Sequence, residues 1–174
     1  MREIPSVERF ELALTRVGYP VSEETHGLAQ DLSLTHMDLL ARATDIPAIH
    51  IQLLKRIHAA YRVALVSNFD HGPTARRIIE RDGAAPYFQH IVISDGHGWR
   101  KPHPKIFTDT LELLNVEAQD ALFVGDSAQD DVIGAKGAGL DVAWVNARDA
   151  ALPEGIPAPD YTIRAIPELE PILF

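Results

Sequence analysis

Asp126, Asp130 and Asp131 stand within six positions of one another, directly after the apolar run Leu122-Phe123-Val124 and inside or just beyond the turn Gly125-Asp126-Ser127. Carboxylates this close repel one another, and a hard divalent cation relieves the repulsion. Mg²⁺ takes one or two carboxylates and keeps several waters for a phosphate-bearing ligand. Asp126 precedes the helical pattern that follows, whereas Asp130 and Asp131 also suit first-turn acids stabilised by a helix dipole. Two more apolar runs end in polar residues. Val63-Ala64-Leu65-Val66 closes on Ser67-Asn68, and Lys101 lies in the loop beyond Ile91-Val92-Ile93. A hydroxyl, an amide, an ammonium and a metal-binding carboxylate pair together suit an anion, specifically a phosphoryl group.

The elements that must bring these tips together alternate in type. From Tyr61 onward, short apolar runs of the kind expected for strands buried on both faces are separated by helical patterns. One helix runs through Ile78 and Ile79 to Gly83. A second carries Ile106, Phe107, Leu111 and Leu114, and a third carries Val132, Ala135 and Ala138 up to Gly139. Val142–Val145 is a further strand, and Tyr161-Thr162-Ile163 with Ile166 to Leu173 forms a last short strand and a closing helix. This alternation implies an α/β fold with a parallel sheet, whose strand ends share one edge.

Residues 1–45 are helical in pattern instead. Ser6 can cap a segment with Phe10, Leu14 and Val17 on one face, and Ser22 a second with Leu28, Leu32, Leu39 and Leu40. Pro47 opens the helix of Ile51, Leu54 and Ile57. His50 and His58 on that helix are surface or boundary residues, since they are eight apart and have no evident carboxylate partner. His97 and His103, flanking Lys101, are read as solvated loop residues, Trp99 as a surface or cap-facing aromatic, and Trp144 as core.

The net charge of −9 argues against a nucleic-acid partner, which needs a basic face, but not against a small phosphorylated substrate. With no cysteine there is no disulfide framework, thiolate metal site or cysteine nucleophile. Hydrophobic content of 46% with 24% charged residues is ordinary for a globular domain. MREIPSVERF has no signal-peptide core, and no run approaches membrane-spanning length, so a cytoplasmic protein without a membrane partner is expected.

The three polar tips, in this order, resemble the haloacid dehalogenase-like (HAD) hydrolase superfamily, in the branch with a helical cap inserted early. VALVSNFD is similar to its second motif, with Ser67 at the phosphate-binding position and Asn68 beside it. GWRKPHPKIF is similar to the third, with the lysine at Lys101. FVGDSAQDDVIGAKGAG is similar to the fourth, with Asp126 as the implied Mg²⁺ ligand and Asp131 as its supporting acid; Asp130 is the weaker candidate. The resemblance implies a Rossmann-like parallel core over 46–174 and a partial helical cap over 1–45. It also implies Ser67 and Lys101 as catalytic, phosphate-holding residues.

The family's first motif, an apolar strand ending in the nucleophilic aspartate, has no counterpart here. MREIPSVER contains no aspartate, Asp31 lies in a helical pattern, and Asp70 belongs to the second motif. The resemblance therefore implies a sheet lacking its usual first, central strand, and a version truncated at its N-terminus relative to a longer chain. Three functions follow as expectations. The first is an Mg²⁺-dependent phosphatase of small phosphate monoesters whose nucleophile is missing from this sequence. The second is a dehalogenase, which the Gly125-Asp126 turn disfavours because dehalogenases of this family do without the cation. The third is an inactive member binding a phosphorylated ligand or a protein partner.

Overall fold

The computed structural model describes residues 1–174. Two helices come first, α1 (Ser6–Arg16) and α2 (Glu23–Ala43), the second capped by Ser22 Oγ, which accepts from Thr25 N at 3.2 Å. They pack together through a stripe of mostly small residues spaced four apart: Thr25, Ala29, Ser33, Met37 and Ala41. Ser33 Oγ donates to Ser6 Oγ at 2.9 Å inside this seam. Of the apolar positions read from the sequence, Leu14 is buried, Phe10, Leu28 and Leu40 are half-buried, and Val17, Leu32 and Leu39 are exposed. Small side chains let neighbouring backbones approach α2 closely, so they and not the leucines form its buried face.

The α/β part follows as α3 (Ala48–Ala60), β1 (Ala64–Ser67), α4 (Gly72–Arg81), β2 (His90–Ile93), the single turn α5 (Ser94–His97) and α6 (Pro104–Leu114). Next come β3 (Leu122–Gly125), a π-helical turn (Ala128–Val132), α7 (Ile133–Gly137), β4 (Asp141–Val145), β5 (Tyr161–Ile163) and α8 (Glu170–Leu173). All strand pairings are parallel, as the alternation predicts. The strands form two separate sheets, β1–β2 and β3–β4–β5. In the first, Ala64 faces His90 and Ser67 faces Ile93; in the second, Leu122 faces Asp141 and Ala143 faces Tyr161.

β1 and β3 are not paired, and each keeps one free edge. Burial reflects this directly. Val142, Ala143 and Trp144 of β4, flanked on both sides, are buried, whereas all four residues of β1 and all four of β3 are only half-buried. The expectation that Val63–Val66 is buried on both faces is thus corrected, because a missing neighbour exposes the strand's edge. The main core lies between the sheets and α6. Ile106 and Phe107 are completely or almost completely buried against Val92, Val132 and Val142, so one helix packs on both sheets. A smaller cluster of Ala143, Ile163 and Leu169 covers the other face of β4 and β5.

Residues 1–5 are tied to the ends of β1 and β2. Glu3 N donates to Gly98 O at 3.2 Å, Arg100 N donates to Met1 O at 3.2 Å, and Ser6 N donates to Asp70 O at 2.9 Å. The Glu3 carboxylate, 2% exposed, accepts from Ser94 Oγ at 2.5 Å and Arg9 Nη2 at 2.9 Å, with Arg100 at 3.4 Å. Burial alone would raise its pKa. The hydrogen bonds from Ser94 and the Ile4 N–H, with the charges of Arg100 and Arg9, outweigh that and hold it below the usual carboxylate value.

A depressed folded pKa means that this contribution is present above the ordinary glutamate pKa of about 4.3 and is lost as pH falls through the folded value. Glu3→Gln is therefore expected to lower stability at pH 7 by about 1–3 kcal/mol, the cost of unsatisfied partners of a buried charged group. The difference from the parent should shrink at a pH well below the ordinary glutamate value of about 4.3, as pH falls through the depressed folded value and Glu3 becomes neutral. Urea denaturation at the two pH values checks this.

Candidate functional site

β1, α6 and β3 each deliver one part of the site, through the loop at its end. The chain leaves β1 at Ser67, and Asn68 turns its amide onto the loop before α6. Asn68 Nδ2 donates to Lys101 O at 3.0 Å, and Lys101 N donates to Asn68 Oδ1 at 2.8 Å. Both polar ends of this side chain are thus spent on one residue, and Asn68 works as a clamp on the Lys101 backbone. The Lys101-Pro102 peptide is cis.

The lysine side chain, 11% exposed, crosses toward β3 and ends 2.6 Å from Asp131 Oδ1. It passes 5.4 Å from the Phe123 ring centroid, within range of a cation–π contact. Asp131, only 3% exposed, accepts at Oδ2 from Ser127 N at 2.9 Å. Its Oδ1 is held by the Lys101 ammonium in a close ionic contact. Ser127 Oγ accepts from Asp130 N at 3.0 Å and so caps the π-helical turn that carries Asp131.

Two glycines make this approach possible. A Cβ on Gly125 would lie 2.4 Å from Asp131 Cγ and Oδ2, inside the carboxylate. A Cβ on Gly134 would lie 2.5 Å from Phe107 Cε2 and 2.9 Å from Pro102 Cα, which would push α7 off the lysine loop. Asp126 follows Gly125 directly and is exposed; its carbonyl accepts from Trp144 Nε1 at 3.0 Å. Trp144 is core, as expected, and also pins the acidic turn.

The structure thus joins Asn68, Lys101 and Asp131 by direct contact, with Ser67 and Asp126 next to them along the chain. Asp130 contributes its backbone to the cap and has no recorded side-chain partner. The flanking histidines are not simply solvated. His97 Nε2 lies 3.0 Å from Asp109 Oδ2, and His103 stacks on Trp99 with ring centroids 3.8 Å apart. Partial burial and the positive charges of the amino terminus, Lys105, Arg2 and His97 hold the His103 pKa below its usual value.

No set of three or more His, Asp or Glu side chains gathers around one point. Two carboxylates at most are available here, which fits a Mg²⁺ ion that fills its remaining positions with water and ligand oxygens, and not a closed structural cage. The solvent-facing Asp126 is the group that suits it, with Asp131 close by along the chain and already paired to Lys101. Sequence reasoning missed Gly125, Gly134, Ser127 and Trp144. Only Trp144 carried a usable signal, since a buried indole N–H beside a turn needs an acceptor.

Gly125→Ala is expected to cost about 1–3 kcal/mol through overpacking against Asp131. Gly137→Ala, in a helix with open space around the new methyl, is expected to be neutral or stabilising by up to about 1 kcal/mol. Thermal denaturation of the two variants checks this.

Residues 8–139 match the family model for haloacid dehalogenase-like hydrolase. The chain is 37% identical over 124 residues to the pyrimidine 5'-nucleotidase YjjG of Escherichia coli, covering 71% of this chain and 54% of that protein. It is 30% identical over 135 residues to the glyceraldehyde 3-phosphate phosphatase of Pyrococcus abyssi, covering 78% and 56%. The chain thus spans about half the length of these curated relatives. Among solved structures, a 2-haloacid dehalogenase from Pseudomonas syringae superposes with a TM-score of 0.76 at 25% identity, covering 97% of this chain and 69% of that one. The HAD-hydrolase YfnB from Bacillus subtilis, bound to magnesium, gives 0.75 at 25% identity, covering 97% and 70%. No helix is long and apolar enough to cross a membrane.

Proposed function

The chain belongs to the haloacid dehalogenase-like hydrolases, and from that premise we propose that it is the phosphate- and metal-holding part of an Mg²⁺-dependent phosphatase of small phosphate monoesters. One observation carries the reading: a nearly buried ammonium, Lys101, is clamped by Asn68 at the end of one sheet and meets Asp131 at the end of the other. That contact supports reading Ser67, Lys101 and Asp126 as one rim.

In the proposed mechanism, Lys101 presents its charge to the phosphoryl oxygens and the Ser67 hydroxyl donates to one of them. The Asn68 side-chain amide, engaged at both ends with Lys101, positions the lysine, and the Asn68 backbone N–H is the group proposed for a phosphate. Asp126 would hold the cation, with Asp131 as its supporting acid, and Mg²⁺ when bound would supply charge neutralisation for the phosphoryl oxygens. Phosphoryl transfer in this family needs an aspartate nucleophile, and none of the acids in residues 1–174 stands in that role. Without it, turnover falls to what binding and electrostatics alone provide. The relatives act on a nucleotide and a triose phosphate by name, which supports a small sugar or nucleotide phosphate as substrate class. The acidic Gly125-Asp126 turn favours the phosphatase over a dehalogenase.

The test has two parts. With Mg²⁺, the chain is expected to hydrolyse p-nitrophenyl phosphate no faster than background. It is nevertheless expected to bind inorganic phosphate in a Mg²⁺-dependent way, with affinity reduced at least about tenfold in Lys101→Ala and in Asp126→Ala, a loss of ~1.4 kcal/mol. Phosphate binding that ignores both substitutions contradicts the site. Robust turnover abolished by Asp126→Ala would show that the nucleophile lies within these residues.

A further inference from the structure

An apolar cavity of about 550 Å³ separates β1 from β3, so pairing between these strands does not place the loops beyond their ends, and other contacts must. For the loop after β1 those contacts come from the first residues of the chain and from α1. Ser6 N donates to Asp70 O at 2.9 Å, and Arg9, in the first turn of α1, brings its Nε to 3.1 Å from Asp70 Oδ2. The same guanidinium donates from Nε to Ile4 O at 3.0 Å and from Nη2 to Glu3 Oε1 at 2.9 Å. Glu3 meets Arg100 at 3.4 Å, Arg100 precedes Lys101, and Lys101 is clamped by Asn68, two residues before Asp70. These contacts close into a ring that runs through Asp70, Arg9, Glu3, Arg100, Lys101 and Asn68. Ser94 Oγ crosses it, accepting from Phe69 N at 2.9 Å and donating to Glu3. The two guanidinium groups balance the two carboxylates.

From this ring we infer that Arg9 is a positioning residue for the phosphate site: by gripping Asp70 and Glu3 together it fixes the Asn68–Asp70 loop and, through Arg100, the Lys101 loop. The planar guanidinium presents Nε and Nη2 to separate acceptors in a fixed fork, which a lysine ammonium cannot reproduce. Glu3 is 2% exposed and depends on its partners to keep its charge, whereas Asp70 is 22% exposed and lies on the loop itself. Without Arg9 the two carboxylates lose the cation between them. Asp70 is the member free to move, and its movement carries Asn68 and the lysine clamp with it. Arg9 acts through Asp70 and Glu3, so the two-helix part of the chain reaches the phosphate-holding residues by this one side chain and the Ser6 N–H.

This inference rests on the phosphatase reading for what the loops hold, and its test separates the two. Inorganic phosphate is titrated with Mg²⁺ into the full chain and into Arg9→Met, Arg9→Lys and Arg16→Met, and the amide resonances of Asn68 and Lys101 are followed by NMR without phosphate. Arg9→Met is expected to shift both resonances and to bind phosphate about three- to fivefold more weakly, the scale of a partly exposed ion pair. Arg9→Lys keeps the charge without the fork, and is expected to shift the same resonances and to bind at least about twofold more weakly. Arg16→Met removes an exposed charge from the same helix and is expected to match the parent. Parent-like resonances in Arg9→Met overturn the inference, as does parent-like behaviour of Arg9→Lys in both readouts, because charge alone would then act. Lowered stability with unchanged phosphate affinity overturns it too. Should Arg9→Met fail to fold, Arg9→Lys decides by the same criteria. A parent chain that binds no phosphate contradicts the phosphatase reading, while the two resonances still decide whether Arg9 braces the loops.

Discussion

The contact between Lys101 and Asp131 is the joint of this protein. One sheet supplies the lysine through the Asn68 clamp, the other supplies the aspartate through the turn after β3, and no strand connects the two sheets directly. Both side chains are nearly buried, so neither charge is well solvated alone. Removing one partner of such a pair typically costs about 3–5 kcal/mol because the other charge is left buried and uncompensated. The same contact sets the chemistry. It puts a cation beside the acidic turn, with one aspartate oxygen held by the lysine and the other by Ser127 N.

Everything around the joint serves to bring three chain segments into that contact. Gly125 removes the Cβ that would occupy the carboxylate, and Gly134 lets α7 lie against the loop that delivers the lysine. Trp144 holds the Asp126 carbonyl from the neighbouring strand, and Ser127 both caps the π-helical turn and donates its N–H to Asp131. α6 packs on both sheets through Ile106 and Phe107, so the halves are spaced by a helix and latched at one end by an ion pair. The apolar cavity between β1 and β3 follows from that arrangement: the halves are held in place, and the edges between them are not satisfied by each other.

Much of this was legible in the residues. Parallel α/β architecture followed from apolar runs alternating with helical patterns. The order Ser67, Lys101, Asp126, Asp131 suggested a common rim, because polar residues at the strand tips of a parallel sheet share an edge, and of these the structure brings Lys101 and Asp131 into direct contact. The departures have physical causes. Leu14 of the first segment is buried as its face predicts, but on α2 the small residues Thr25, Ala29 and Ser33 permit closer helix approach and take the buried side from Leu32 and Leu39. The apolar run Val63–Val66 suggested a strand enclosed on both sides, but its burial depends on a neighbour that composition cannot report. Glycine at 125 or 134 looks like any turn or helix glycine until the atom that a Cβ would strike is known. The role of Asn68 as a clamp depends on a long-range contact that no local pattern encodes.

The central claim is that Lys101 and Asp131 act as one unit joining the two sheets. A double-mutant cycle with Lys101→Met and Asp131→Asn, read by urea denaturation, tests it most directly. Asparagine keeps an acceptor for Ser127, so the cycle isolates the ionic contact. Each single substitution is expected to destabilise the protein, and the double variant is expected to recover much of the sum, with a coupling energy of about 2 kcal/mol or more. Additivity within about 0.5 kcal/mol would contradict the account, because it would mean that the two charges sit side by side without holding anything together.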